Sequence, residues 1–182
     1  MKVFDAGCGS GRNLVYLLRE GFDVYGVDAD ARAVEVTRRL AGARAENFRA
    51  ERIDSHSFQD GFAHVVISSA VLHFARDDED FSAMLQGSWR VLKPGGLFFC
   101  RLASSIGIEH QVRRIAGRRF RLPDGSERYL VDAEMLAELT NELGGLPADP
   151  LKTTIVQNQR SMTTWVIRRS ESAHLTEVPS AR

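Results

Sequence analysis

The chain has 182 residues, with 24 basic and 24 acidic side chains, so its formal net charge is zero. Apolar residues make up 43% of it, including ten Phe and two Trp, which is enough for one core in one domain. That balance excludes intrinsic disorder, a collagen-like repeat and a disulfide-stapled mini-protein.

The longest apolar run, Ala63–Ala70, contains His64 and two serines, too polar and too short to cross a bilayer. A strand-like run starts within two residues of Met1, so the chain reads without a signal peptide. Cys8 and Cys100 cannot form a disulfide framework and lack paired metal-ligand spacing; they suit a reducing cytoplasm. Lys2, Lys93 and Lys152 are the only lysines, and the other 21 cations are arginines. Arginine excess can serve anion recognition, although base composition of the gene explains it equally well.

Lys2–Ala6 reads as a short first strand. Asn13–Glu20 follows as a helix, with Leu14, Leu17 and Leu18 at helical spacing and Gly21 as a stop. Asp23–Val27 is a second strand. Asp30 is placed to cap a helix whose apolar face holds Ala33, Val34, Thr37 and Leu40. Asn47–Ile53 is a weak third strand, and His64–Ser68 a fourth of the kind buried on both faces. Asp80–Leu92 reads as a helix ended by Lys93-Pro94-Gly95-Gly96. Gly96–Arg101 is the fifth strand.

From Ala103 to Leu130 the pattern is irregular and rich in Gly and Arg. Asp132 caps a helix to Leu143, stopped by Gly144-Gly145. Thr153–Gln157 and Met162–Arg168, joined by a short polar turn, read as an antiparallel pair. The expected domain covers residues 1–170, and residues 171–182 read as a disordered tail. Strands alternating with helices imply right-handed crossovers and a mostly parallel α/β sheet with helices on both faces. Ligands in such sheets bind beyond the carboxyl ends of the strands.

Strand one ends in Asp5-Ala6-Gly7-Cys8-Gly9-Ser10-Gly11-Arg12-Asn13. Glycines at alternate positions permit positive φ and a close backbone approach. A dinucleotide loop would read G-x-G-x-x-G, aimed at a pyrophosphate. Here the order is D-x-G-x-G-x-G, and a carboxylate two residues before the first glycine repels a pyrophosphate. It suits a cofactor carrying a positive group, such as an ammonium or a sulfonium. Asp28 ends strand two, 19 residues after Gly9, where an acid accepts hydrogen bonds from both ribose hydroxyls. A plain tight turn with a capping Asp accounts for the glycines but not for that spacing.

Asp5–Asn13, Gly26-Val27-Asp28 and Leu92-Lys93-Pro94-Gly95-Gly96 resemble the class I S-adenosylmethionine (SAM)-dependent methyltransferases, over roughly residues 2–169. Gly9–Asn13, Ser69-Ala70-Val71-Leu72-His73-Phe74 and Ser161–Trp165 are most similar to a bacterial small-molecule branch that includes the tellurite-resistance methyltransferases. The resemblance implies a Rossmann-like seven-stranded sheet of order 3-2-1-4-5-7-6, with strand seven antiparallel. It implies that Asp5 lies near the methionine ammonium and that the Gly7, Cys8 and Gly9 backbone approaches methionine and ribose. Asp28 then holds the ribose hydroxyls, Ala29 lies along the adenine, and Asp54 accepts from the adenine amino group with Ser55 beside it. The Ser68-Ser69-Ala70 carbonyls face the ammonium. The family's usual helical segment before strand one, which closes over SAM, is not seen ahead of Lys2, where strand one begins; the expectation is either a truncated start or an open site.

Methyl transfer needs alignment more than acid–base chemistry, since the cofactor is already activated. His73, five residues beyond strand four, is the candidate general base or acceptor contact; a structural histidine is the rival reading. His56, His64 and His110 are weaker candidates. Residues 101–130 carry seven arginines against three acids, a local net of +4, and follow strand five on the cofactor side. They read as a wall for an anionic small-molecule acceptor, with Tyr129 as an aromatic face, or else as a solvated basic loop. Neutral overall charge and the lack of an Asn-Pro-Pro-aromatic tetrad after strand four argue against a nucleic-acid substrate. The expected protein is cytoplasmic; neither the acceptor nor the oligomeric state is legible.

Overall fold

The computed structural model describes residues 1–171. The readings made for residues 172–182 of the tail lie outside the described residues. In chain order the elements are β1 (Lys2–Ala6), α1 (Val15–Arg19), β2 (Asp23–Asp28), α2 (Ala31–Ala41), β3 (Phe48–Ala50), β4 (Ala63–Ser69), α3 (Asp78–Arg90) and β5 (Leu92–Ser104). Then follow β6 (Arg113–Ala116), β7 (Arg119–Arg121), β8 (Glu127–Tyr129), α4 (Ala133–Glu142), β9 (Gly145–Val156) and β10 (Arg160–Arg169).

Seven strands form one sheet in the order β3-β2-β1-β4-β5-β10-β9. β1, β2, β3, β4 and β5 are parallel, and β10 runs antiparallel between β5 and β9. This is the expected Rossmann-like order, with β10 as the seventh strand. The strand carboxyl ends therefore gather along one edge.

The two faces are packed unequally. On one, Phe4, Val66, Phe98 and Trp165 meet Phe81, Leu85 and Trp89 of α3 and Leu136 of α4 in the main core. On the other, Leu14, Val24, Val34 and Phe48 form a smaller cluster with α1 and α2 over the β2–β3 side. Val65, Ile67, Leu97, Phe99 and Val166, on the face away from α3, stay half-buried.

The helix caps are where the sequence puts them. Asp30 accepts from the Arg32 and Ala33 amides at 2.9 and 3.3 Å, and Asp132 accepts from Met135 N at 2.9 Å. Several boundaries differ. α3 starts earlier, at Asp78, because Asp77 caps it through Asp80 N. β3 is only three residues long, preceded by a 3₁₀ turn over Gly42–Asn47. β9 begins at Gly145 rather than Thr153, because its edge position lets Pro147 and Pro150 sit in a strand without breaking the ladder. α1 spans five residues, since Gly9 and Gly11 at φ 50° and 81° postpone the right-handed turn.

The segment expected to be irregular contains a second, three-stranded sheet, β6-β7-β8. Its strands are short and lack apolar alternation, so periodicity gives no signal. Arg119 and Arg121 both reach Glu127 across the β7–β8 pair, at 3.1 and 2.7 Å. The excursion leaves and rejoins the main sheet at one point: Ser105 N donates to Val131 O at 2.9 Å, and Val131 N to Ala103 O at 3.3 Å. Among the described residues no helix is long and apolar enough to cross a membrane.

Candidate functional site

β1 delivers the chain into the glycine loop at the centre of the carboxyl edge. The amides of Gly7 and Cys8 both donate to Val27 O at 2.9 Å, pinning the loop to the end of β2. Gly7 has φ 96°, and a Cβ there would lie 2.5 Å from Val71 Cγ2, so no other residue fits. Gly9 N donates to Asp28 Oδ2 at 2.9 Å, and Thr37 Oγ1 donates to Gly9 O at 2.8 Å. Asp28 Oδ1 accepts from Asp30 N at 2.9 Å. The Asp28 carboxylate thus reaches the loop with its orientation fixed and lone pairs to spare.

Asp5 is fully buried, and neither carboxylate oxygen has a hydrogen-bond partner among the described residues. Burial pushes its pKa up to about 7; the like charge of Asp28 adds to this, and the nearby Asn13 amide opposes it in part. An orphaned buried carboxylate beside a ligand loop is waiting for a positive or donating group. Burial, then the charges of Asp5 and Asp28, push the Cys8 thiol up to about 12, so Cys8 is an inert lining group and no nucleophile.

Above the loop lies a cavity of about 680 Å³. Of the residues singled out from the sequence, Gly7, Cys8, Gly9, Asp28, Ala29, Asp54 and Ser69 line it. Asp5 sits behind the loop. Ser55 is exposed and off the cavity wall, its hydroxyl donating to Asp54 Oδ1 at 3.1 Å. Asp54 is held bidentately by Arg52, at 3.0 Å to Oδ1 and 2.7 Å to Oδ2, which keeps its carboxyl below the usual range. Arg52 also lies 3.6 Å from Asp80, which Arg76 grips at 3.0 Å.

Sequence reasoning missed Arg52, Phe74, Arg76, Asp80 and Met84 as lining residues. The i,i+4 spacing of Arg76 and Asp80 was the available signal for that pair. Asp80 and Met84 lie one turn apart on α3 and reach the cavity from one face of that helix.

The Asp54 loop is held in place by close contact with α3. A Cβ on Gly87 would lie 2.1 Å from Ile53 O and 3.0 Å from Asp54 Cα. His56 Nε2 donates to Gly87 O at 3.0 Å, while its Nδ1 accepts from Phe58 N at 3.2 Å. Arg90 closes the clamp on the Phe58 carbonyl and Asp60. Gly→Ala in an open helix stabilises by about 0.5–1 kcal/mol. Gly87→Ala is instead expected to destabilise by about 2–3 kcal/mol through overpacking against backbone. A fall in melting temperature of roughly 5–10 °C, read by circular dichroism, checks it.

His73 is 5% exposed and does not line the cavity. Its Nδ1 accepts from Ala103 N at 3.1 Å, continuing the edge of β5 past the end of β4. Burial, then the charges of Arg128 and Arg101, lower its pKa to about 4. His64 lies at the opposite end of the sheet, its Nδ1 accepting from Lys2 N, and His110 is exposed. Tyr129 is not an acceptor-facing wall: it is buried, stacked on Phe81 at 4.5 Å, and donates to Asp78 at 2.8 Å. Among the described residues no cluster of His, Cys, Asp and Glu could hold a metal ion.

A family model described as a methyltransferase domain matches residues 4–100. A ubiquinone biosynthesis O-methyltransferase of Pectobacterium carotovorum subsp. carotovorum is 33% identical over 101 residues, 54% of this chain and 41% of that protein. One from Chelativorans sp. is 27% identical over 168 residues, 83% of this chain and 64% of that protein. The chain spans less than two thirds of the length of these relatives. A SAM-dependent methyltransferase structure from Methanosarcina mazei superposes with a TM-score of 0.74 at 21% identity, covering 94% and 93% of the two chains. The 1,6-didemethyltoxoflavin-N1-methyltransferase of Burkholderia thailandensis, solved with S-adenosylhomocysteine, gives 0.72 at 20% identity over 93% and 71%. At these identities the structural likeness is one of fold.

Proposed function

The chain belongs to the class I SAM-dependent methyltransferases, and on that premise we propose that it transfers a methyl group from SAM to a small-molecule acceptor in the cytoplasm. The observation that carries the reading is the pair of carboxylates at the glycine loop: Asp5, buried and unpartnered, and Asp28, fixed by the Gly9 and Asp30 amides. That set fits SAM. An ammonium supplies the charge Asp5 lacks, and two ribose hydroxyls supply donors for the lone pairs left on Asp28.

The other expected contacts follow. The Gly7, Cys8 and Gly9 backbone borders the methionine and ribose, and Ala29 the adenine. Asp54 accepts the adenine amino group on the lone pairs that Arg52 leaves free, with Ser55 steadying it from outside. Ser69 offers its carbonyl to the ammonium. When bound, the cofactor supplies a methyl already activated on a sulfonium. The chain's own work is to orient it toward the Ala70–Phe74 side and to exclude water. The narrower likeness to tellurite-resistance enzymes gains no support from the relatives described above.

His73 acts in this reading as a positioning residue. With Nδ1 accepting from Ala103 N, the neutral ring carries its proton on Nε2 and has no free lone pair for a substrate proton. His73→Ala is expected to lower stability by about 1–3 kcal/mol, by orphaning a buried amide. It is expected to leave the pH profile of methyl transfer above pH 6 unchanged. A base role predicts the loss of a rising limb in that profile.

A second reading, a SAM-binding protein with little turnover, is favoured by one observation: the half-buried Val65, Ile67, Leu97 and Phe99 on the face away from α3. A site beside a thinly covered sheet orders its ligands less well. Calorimetric titration with SAM, S-adenosylhomocysteine and NAD tests the cofactor, and S-adenosylhomocysteine release with a pool of small acceptors tests turnover. Binding of the first two without NAD is the expected result. NAD binding in their place overturns the proposal, and SAM binding without product selects the second reading.

A further inference from the structure

The small sheet β6-β7-β8 has two unlike faces. Strand register places Arg114, Phe120 and Arg128 in one row across it. The Arg114 guanidinium lies 5.0 Å from the Phe120 ring centre, and that of Arg128 lies 4.8 Å from the ring of Phe74. Phe74 is 58% exposed and lines the cavity. Phe120 packs with Ala70, another lining residue, against the cluster of Ala103, Leu122, Leu130 and Met162. From the main sheet, Arg101 joins this side: it is in register with Ser69, so both side chains leave the same face.

The arginines of the segment divide by charge state of their surroundings. Arg118 is paired with Asp132 at 2.8 Å, and Arg119 and Arg121 share Glu127. Those pairs neutralise the opposite face. Arg101 and Arg128 have no carboxylate within salt-bridge distance among the described residues. The Arg128 guanidinium donates to the Glu127 carbonyl at 2.7 Å, while Asp124 accepts from Ser126 and lies 4.0 Å from Arg160. His73, whose pKa is lowered by burial and then by the charges of Arg128 and Arg101, supplies no negative charge to either. Two half-buried guanidiniums without a carboxylate partner, beside the exposed Phe74 ring and the half-buried Phe120 ring, form a surface for a flat apolar body bearing an anion.

Resting on the methyltransferase reading, we propose that the Phe74–Phe120 surface with Arg101 and Arg128 is the acceptor subsite, and that it selects small aromatic acceptors bearing a carboxylate. The rings hold the body of the acceptor, and the guanidiniums fix its carboxylate at the far side from the methyl group.

The test has two arms. S-adenosylhomocysteine is first titrated calorimetrically; failure to bind overturns the methyltransferase reading itself. On protein saturated with S-adenosylhomocysteine, benzoate and 2-naphthoate are then compared with their primary carboxamides by ligand-observed NMR. The carboxylates are expected to bind at least tenfold more tightly than the amides. Arg101→Gln and Arg128→Gln should each remove most of that preference, and Arg128→Lys should restore part of it. Arg113→Gln, on the opposite face of the small sheet, should keep it. Equal binding of acids and amides, or a preference that survives both glutamine variants, overturns the subsite while leaving the cofactor reading standing.

Discussion

At pH 8, Asp5→Asn is expected to bind SAM at least tenfold more weakly than the parent protein and yet to melt at a higher temperature without ligand. Both effects come from one carboxylate. Its pKa in the fold is about 7 against an ordinary value of 3.8. The folded state therefore holds a proton that the unfolded chain has released between those values, and stability falls as pH rises from about 4 to about 7. Above pH 7 the shift corresponds to a penalty of about 4 kcal/mol. The amide escapes that penalty. His73 has the opposite sign: its lowered pKa gives stability above about pH 6.5 that is lost as pH falls toward 4. The informative quantity is thus the difference between Asp5→Asn and parent, measured from pH 4 to 8.

The cofactor's ammonium reverses the balance, because it favours the ionised form of Asp5. SAM affinity of the parent should rise by roughly tenfold per pH unit up to about pH 7. It should level off as the cofactor's own amino group, with a pKa of about 8, begins to lose its proton. Calorimetry at pH 6 in two buffers of different ionisation enthalpy should show close to one proton released per SAM bound, and none in the variant. A SAM affinity independent of pH in the parent would falsify the role given to Asp5.

Asp28→Ala is the second large effect. The substitution removes two acceptors for cofactor hydroxyls and also frees the Gly9 and Asp30 amides that now hold the loop. Hydrogen bonds to a charged group are worth about 1.5–3 kcal/mol each, so SAM should bind roughly 100-fold more weakly or worse. Asp28→Asn keeps one carbonyl acceptor and should lie between. There is a cross-effect. Asp28 is the second cause of the high Asp5 pKa, so in either variant the pH at which SAM affinity levels off should move down. If Asp28→Ala weakens SAM less than about fivefold, the ribose assignment is wrong.

The glycine-loop side of the cavity was legible in the sequence because its constraints are local. A positive φ at Gly7 and an acid at the end of β2 leave marks at fixed spacing, whatever packs around them. The parallel order was legible for the same reason, since each strand–helix repeat carries its own periodicity. The Phe74 side, proposed above to receive the acceptor, was not. Phe74 enters the cavity through a 3₁₀ turn that lacks a periodic signature, and β7 and β8 are joined by arginine–glutamate pairs in place of apolar alternation. His73 shows the limit most plainly. Its position after β4 was readable, but the amide that occupies its Nδ1 comes from a residue 30 positions away.

The excursion that carries the arginines leaves the main sheet at Ser104 and returns at Val131, which form a bridge. Its two ends are already adjacent, so its length can change at little cost in loop closure. The cavity-lining residues, by contrast, fall between Gly7 and Met84. On the proposed reading, the loops that hold the cofactor and the arginine-bearing excursion are separate stretches of chain. Transplanting residues 105–130 together with the residues at positions 74 and 101, with the buried Ile108, Leu122, Tyr129 and Leu130 retained, should transfer acceptor preference without disturbing SAM binding.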